Sequence, residues 1–217
     1  MDKVITIKTS QTASFDVDAQ KTFTPLCPNE LPIDQGHLIA AELNAQAKFA
    51  KLRVGSKDAH SPHAIWVARE SHENFTEVTG DNVDIRWPLH AVPGTLGFEL
   101  LDGLPHPKDY DYFVWKGVEP DMHPYGACYH DHAQRLSTGV IEFLKQHQIN
   151  TVIVGGLALD YCVKKTVLQL LSAQFEVIVN LAATRALALE TQQSTLTELE
   201  QIGVKFIYSV ANLVYII

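Results

Sequence analysis

Long apolar runs are missing from this 217-residue chain. No stretch approaches the roughly 18 to 20 apolar residues of a membrane span, and the polar start lacks the apolar core of a secretory signal. A cytoplasmic protein with no membrane partner is the expectation. Basic residues are also few, 17 Lys and Arg against 25 Asp and Glu, for a formal charge of -8. That balance repels polyphosphate and anionic lipid, which argues against a nucleic-acid partner and for a small neutral or cationic ligand. Cysteine is scarce. Cys27, Cys128 and Cys162 are an odd number at wide spacing, so neither a disulfide framework nor a CxxC zinc site is available. Internal repeats, low-complexity runs and Ser/Gly/Pro linkers are absent too, which leaves a single domain over residues 1–217. Against these absences, hydrophobic residues make up 46% and charged residues 19%, enough apolar material for a large core. Histidine is plentiful at ten, with several between Asp58 and His90.

Residues 12–18 (TASFDVD) alternate like a strand, and residues 37–51 place Leu38, Ile39, Leu43, Ala47 and Ala50 near helical spacing. Residues 52–57 predict a second strand that ends at Asp58. A long irregular segment follows over 58–107, rich in Pro, Gly, His and Asn. Its Trp66, Phe75, Trp87 and Phe98 favour order, and an ordered loop region of this length inside a compact domain points to function. Beyond it, 110–116 predicts a strand and 133–148 a helix carrying Leu136, Val140 and Leu144. The run INTVIVGG (149–156), β-branched without polar alternation, suits a strand buried on both faces. A helix from Asp160 to about Ser172, a strand over 175–182, a helix from Leu189 to Ile202 and a last strand over 204–209 complete the pattern. The expected fold class is α/β, a doubly wound, mainly parallel sheet with helices on both faces.

Ligands of such sheets bind beyond the carboxyl ends of the strands. Those positions carry Asp18, Asp58, Lys116 and the GGLALDYC turn: an acid, an acid, a base and a thiol. Cys162 falls in the first turn of the helix that Asp160 is placed to cap, where the helix N-terminus and a nearby Lys116 favour the thiolate. Taken singly, each of these residues has an ordinary explanation. A cysteine after a strand is commonly a small core residue, Asp18 competes with Asp16 on the same strand face, and Lys116 reads as a solvated edge charge. Together they outline a site. Asp58 and His60, two residues apart, are spaced to chelate one divalent metal, and His90 in RWPLHAVPGT offers a third ligand of an open site. His63, His72, His106, His123, His130 and His132 are assigned solvent or structural roles.

DAQKTF (18–23), DAH (58–60), WPLH…GT (87–95), WKG (115–117) and GGLALDYCVKKT (155–166) resemble the nicotinamidase branch of the isochorismatase-like cysteine hydrolases, over residues 14 to about 210. The resemblance implies an isochorismatase-like three-layer sandwich that hydrolyses nicotinamide to nicotinate and ammonia. In that reading Cys162 is the nucleophile, Asp18 the proton acceptor and donor, and Lys116 the third member of the triad. Asp58, His60 and His90 match metal ligands for one zinc, iron or manganese ion that holds the pyridine nitrogen. Phe23 and Trp87 match aromatic walls, Tyr125 and Tyr161 further substrate contacts. A cis peptide precedes the residue matching Ala158, and the amides of Ala158 and Cys162 form an oxyanion hole. A homo-oligomer is left open.

Several positions depart from the family pattern. Lys21 and Thr22 stand where Asn-Asp is usual. Gly126 and Cys128 replace a serine and a phenylalanine after Tyr125. Val83 occupies the position, seven before His90, where some members carry a fourth ligand, so three protein ligands completed by water are expected. Two rivals share the fold: a metal-independent N-carbamoyl or ureido amidohydrolase, and a catalytically silent ligand-binding protein.

Overall fold

The structure, a computed structural model, describes residues 4–216. Six strands form one parallel sheet: β2 (Thr12–Val17), β3 (Leu52–Asp58), β4 (Tyr112–Lys116), β5 (Thr151–Leu157), β6 (Glu176–Arg185) and β7 (Lys205–Ile207), in the spatial order β4-β3-β2-β5-β6-β7. Both faces are covered, as the unbroken apolar run of β5 requires. Val152 and Val154 point into a core shared with α2 (Val140–Gln146), α3 (Lys164–Ser172) and α4 (Leu189–Gln201) through Leu144, Val167, Leu170 and Leu199. The residue between them, Ile153, points the other way. On that second face α1 (Ala40–Ala47) packs against β2, β5 and β6. The doubly wound α/β expectation therefore holds, and β2 lies at the point where the strand order reverses.

The helices are shorter than their periodicity suggested. The region 37–51 resolves into a 3₁₀ turn, Gly36–Leu38, followed by α1. The helix expected over 133–148 starts only at Val140, because Gly139 sits at φ 87° and the Asp131 carboxylate takes the backbone N–H groups of Arg135 and Leu136 into a separate turn. Leu136, read as a core position, is exposed. A strand went unrecognised at each end: β1 (Ile5–Lys8) and β8 (Leu213–Ile216) pair in parallel as a small second sheet. Ile5, Ile7 and Leu213 cover Ile153 and Ile178 on the α1 side of the large sheet. Four-residue strands with only two buried positions in β1 and one in β8 carry too little period to stand out from a terminus.

Between Asp58 and 107 the chain forms only a short 3₁₀ turn, Ser71–Glu73, and isolated bridges. Its order comes from burial. Trp66 is fully buried, with its indole N–H donating to the Met122 carbonyl at 3.1 Å, and Val67, Val83 and Trp87 pack beside it. Phe75 is exposed, its ring set edge-on to Trp87. Among the described residues, no helix is long and apolar enough to cross a membrane.

Asp16, the rival of Asp18, is a structural group. One of its carboxylate oxygens accepts from Arg53 Nε at 2.9 Å and Nη2 at 2.6 Å and from the Tyr110 hydroxyl at 3.0 Å. Burial outweighs the attraction of Arg53 and pushes its carboxyl up to about 6 from an ordinary 3.8. A folded-state value above the unfolded one means that the folded chain binds the extra proton between these pH values. This contribution to stability is complete below about pH 4 and is lost as pH rises through 6, at about 1.4 kcal/mol per pH unit. Urea denaturation at pH 4, 5 and 6 should therefore show a steeper decline in the wild type than in Asp16→Asn, which retains the like contribution of Asp18.

Candidate functional site

Strand order brings the predicted residues together. The carboxyl ends of β4, β3, β2 and β5 deliver Lys116, Asp58, Asp18 and the turn holding Cys162, and Asp58 and Lys116 are direct partners in the sheet register. The Lys116 ammonium is fully buried. It reaches Asp18 Oδ2 at 3.0 Å, donates to Asp58 Oδ1 and to the Pro124 carbonyl (3.1 Å), and lies 3.6 Å from Cys162 Sγ. Asp18 sits at φ 45°, a conformation unusual for a residue with a side chain. Ser56 Oγ fixes it from both ends, donating to Asp18 Oδ1 at 2.7 Å and accepting from Asp18 N–H at 3.2 Å. Gln20 ties the same turn to β3: its amide donates to the Asp58 carbonyl and its carbonyl accepts from Asp58 N–H.

Burial and charge set the protonation states. Burial opposes the charge on Lys116, but Asp18 and Asp58 outweigh it and raise the ammonium well above its ordinary value. Asp58 is held well below the usual carboxylate range, since Lys116 and the neighbouring imidazoles overcome its burial. Asp18 is pushed up to about 6 by burial, against Lys116. The expectation of a lowered thiol is overturned. Burial lifts Cys162 well above its ordinary value; Lys116 opposes the rise, and Asp58 and Asp18 add to it. At rest the group is a thiol facing a carboxylate able to accept its proton.

Cys162 lies in a π-helical turn, Leu159–Val163, that precedes α3. Asp160 does not cap this turn. Its carboxylate instead accepts from the N–H of Leu187 (2.9 Å), the N–H of Ala188 (3.3 Å) and the Thr191 hydroxyl, closing the start of α4. The peptide Leu157–Ala158 is cis. Among the described residues no acceptor receives the N–H of Ala158.

Next to this group stand the imidazoles. His60 holds its Nδ1 on the Gly117 carbonyl at 3.0 Å and His90 its Nδ1 on the Pro88 carbonyl at 2.7 Å, which assigns the proton to Nδ1 and leaves each Nε2 free as a ligand. Asp58 Oδ1 is 3.4 Å from His60 Nε2. Gly117, at φ 69°, makes room for the His60 ring; a Cβ there would lie 2.6 Å from Nδ1. Burial, then repulsion from His60, takes His90 down to about 3, so it is a neutral donor. This donor chemistry fits a divalent metal. The departures Lys21 and Thr22 brace the same wall. Lys21 pairs with Glu99 (2.8 Å) and Asp102 (2.9 Å), while Thr22 and Glu30 together accept the N–H of Ala91, the residue after His90.

His123, given a structural role from sequence, is brought here as well. It is buried, its ring 5.0 Å from that of His60 and 5.9 Å from that of His90. Nothing in its neighbourhood of sequence marked it, because it stands outside any spaced pair.

Both groups open on one pocket lined by Phe23, Leu31, Ile33, Trp87, Tyr125, Tyr161 and Leu187, together with Cys162, Ala158, Asp58, His90 and His123. Trp87 Nε1–H donates to the Tyr125 hydroxyl at 3.1 Å, which donates to Asp84 at 2.7 Å. A flat ring the size of a pyridine suits such walls.

The family model for the isochorismatase domain matches residues 15–209. The chain belongs to the isochorismatase domain family. Within that family it is 32% identical to the nicotinamidase of Escherichia coli (strain K12) over 143 residues, 65% of this chain and 66% of the relative. Two further curated nicotinamidases are matched over about half of their lengths. Among solved isochorismatase-type structures, an Acinetobacter baumanii nicotinamidase/pyrazinamidase superposes with a TM-score of 0.83 at 27% identity, over 93% of this chain and 98% of that one. The pyrazinamidase of Pyrococcus horikoshii, in complex with zinc, gives 0.72 at 26% identity, over 91% and 98%.

Because Asp160 serves α4 and the Leu187 wall rather than the reacting groups, Asp160→Ala should lower the unfolding free energy by about 2 kcal/mol, as loss of a buried cap does. Urea denaturation followed by circular dichroism checks this.

Proposed function

We propose that this protein is a nicotinamidase, an amidohydrolase that converts nicotinamide to nicotinate and ammonia through a thioester on Cys162. The observation that carries the reading is the shared pocket: a buried Asp18–Lys116–Cys162 group and a set of imidazoles beside one aromatic slot. Phe23, Trp87, Tyr125 and Tyr161 hold the ring. Asp58, His60 and His90 would hold one divalent ion, zinc being the one found in the Pyrococcus horikoshii relative. When bound, that ion supplies a Lewis-acid anchor for the pyridine nitrogen and so fixes where the carboxamide lies.

Asp18 accepts the Cys162 proton as sulfur attacks the carboxamide carbon, and Lys116 stabilises the thiolate as it forms. A carboxyl near 6 beside a raised thiol makes this transfer part of the attack rather than a resting ionisation. The N–H groups of Ala158, which has no other acceptor, and of Cys162 receive the oxyanion; one such donor contributes about 3 kcal/mol in comparable sites. Protonated Asp18 gives its proton to the departing ammonia. It then takes one from the water that cleaves the thioester, releasing nicotinate and the Cys162 thiol.

Ammonia release from nicotinamide, measured with and without chelator, tests the reading. Wild type should turn over, lose activity on chelation and regain it with zinc. Cys162→Ala should abolish turnover with bound metal unchanged. Retained turnover in that variant overturns the mechanism, and turnover of N-carbamoyl substrates indifferent to chelator would favour the metal-independent rival.

A further inference from the structure

We infer that His123 is a metal ligand, completing with His60 and His90 a three-imidazole face beside Asp58. One nitrogen from each of the three rings lies within 4.8 Å of the others, a cluster compact enough to close on a single ion. The inference deepens the metal half of the functional reading and rests on it, but not on the amide chemistry.

Three observations support it. First, both ring nitrogens of His123 are buried without a hydrogen-bond partner, as is His60 Nε2. A core histidine ordinarily has at least one nitrogen satisfied, and an imidazole with two orphaned nitrogens, aimed at another orphaned nitrogen, needs something between them. Second, the residue is held for the purpose at its backbone. His123 N–H donates to the Asn82 carbonyl at 2.8 Å, and its own carbonyl accepts from His132 Nε2 at 2.9 Å. Trp66, 4.3 Å away between ring centroids, and Tyr125, at 5.0 Å, close on the ring from two sides. Third, this ligand arrives from the segment after β4, so it fills the role left vacant where Val83 stands before His90. Asp58, His60, His90 and His123 then make four protein donors, and zinc, which expands to five-coordinate, retains a position for the substrate nitrogen or water.

Zinc-edge X-ray absorption on the zinc-loaded wild-type protein counts imidazoles without any mutation, and three are expected. Chelator competition on His123→Gln, close in size and still polar, should show zinc held at least about tenfold more weakly, the lower end of what losing even an outer partner costs. Two imidazoles in the wild type, or unchanged zinc affinity in the variant, would overturn the inference while leaving a metal-dependent nicotinamidase intact. Failure of the wild type to take up zinc would overturn both. Three imidazoles in a protein that does not release ammonia from nicotinamide would sustain the inference and sink the functional reading.

Discussion

A buried ammonium sets the terms for the whole site. Lys116 has no access to water, and a lone charge in that position would cost far more than a domain of this size can spare. Two carboxylates make it tolerable, Asp58 from the adjacent strand β3 and Asp18 from just beyond β2, one strand further in. Three charges in contact cannot titrate independently. Burial leaves Asp18 poised nearer neutrality and drives Cys162 to the thiol, and Asp58, committed to the charged form, pushes both the same way. The proton that must move during the chemistry is therefore held by sulfur, beside a carboxylate ready for it.

The same ammonium links two functions that look separate. Asp58 Oδ1 faces Lys116 on one side and His60 on the other, so a single carboxylate stands between the nucleophile's charge balance and the imidazole cluster. Gln20 binds the backbone of that aspartate to the turn of Asp18. Displacement of any one strand end would be felt in both groups.

Much of this was legible in sequence because strand ends are where a parallel sheet exposes its chemistry. The β-branched run of β5 identified a central strand, and Asp18, Asp58, Lys116 and Cys162 were found by position relative to such runs. What escaped has physical causes. β1 and β8 are too short for a period to register, and Leu136 matched a helical spacing that Gly139 interrupts. The direction of the Cys162 shift depended on how deeply the thiol is buried and on two carboxylates whose closeness is tertiary. Asp160, in the place of a helix cap, turned outward to a helix some thirty residues later. His123 belongs to an irregular segment, where the partner that matters is chosen by how the chain folds back and not by spacing.

Four of the reacting or ligating positions come from four adjacent strands, β4, β3, β2 and β5. Neighbouring strands stand about 4.8 Å apart, so the sheet acts as a ruler whose divisions fix the separations between base, acids and nucleophile. The walls that receive the ring come mostly from loops, which tolerate change far better than strand register does. Substitutions at ring-lining positions such as Leu31, Ile33 and Leu187 can thus recut the pocket to another amide while the reacting atoms keep their places.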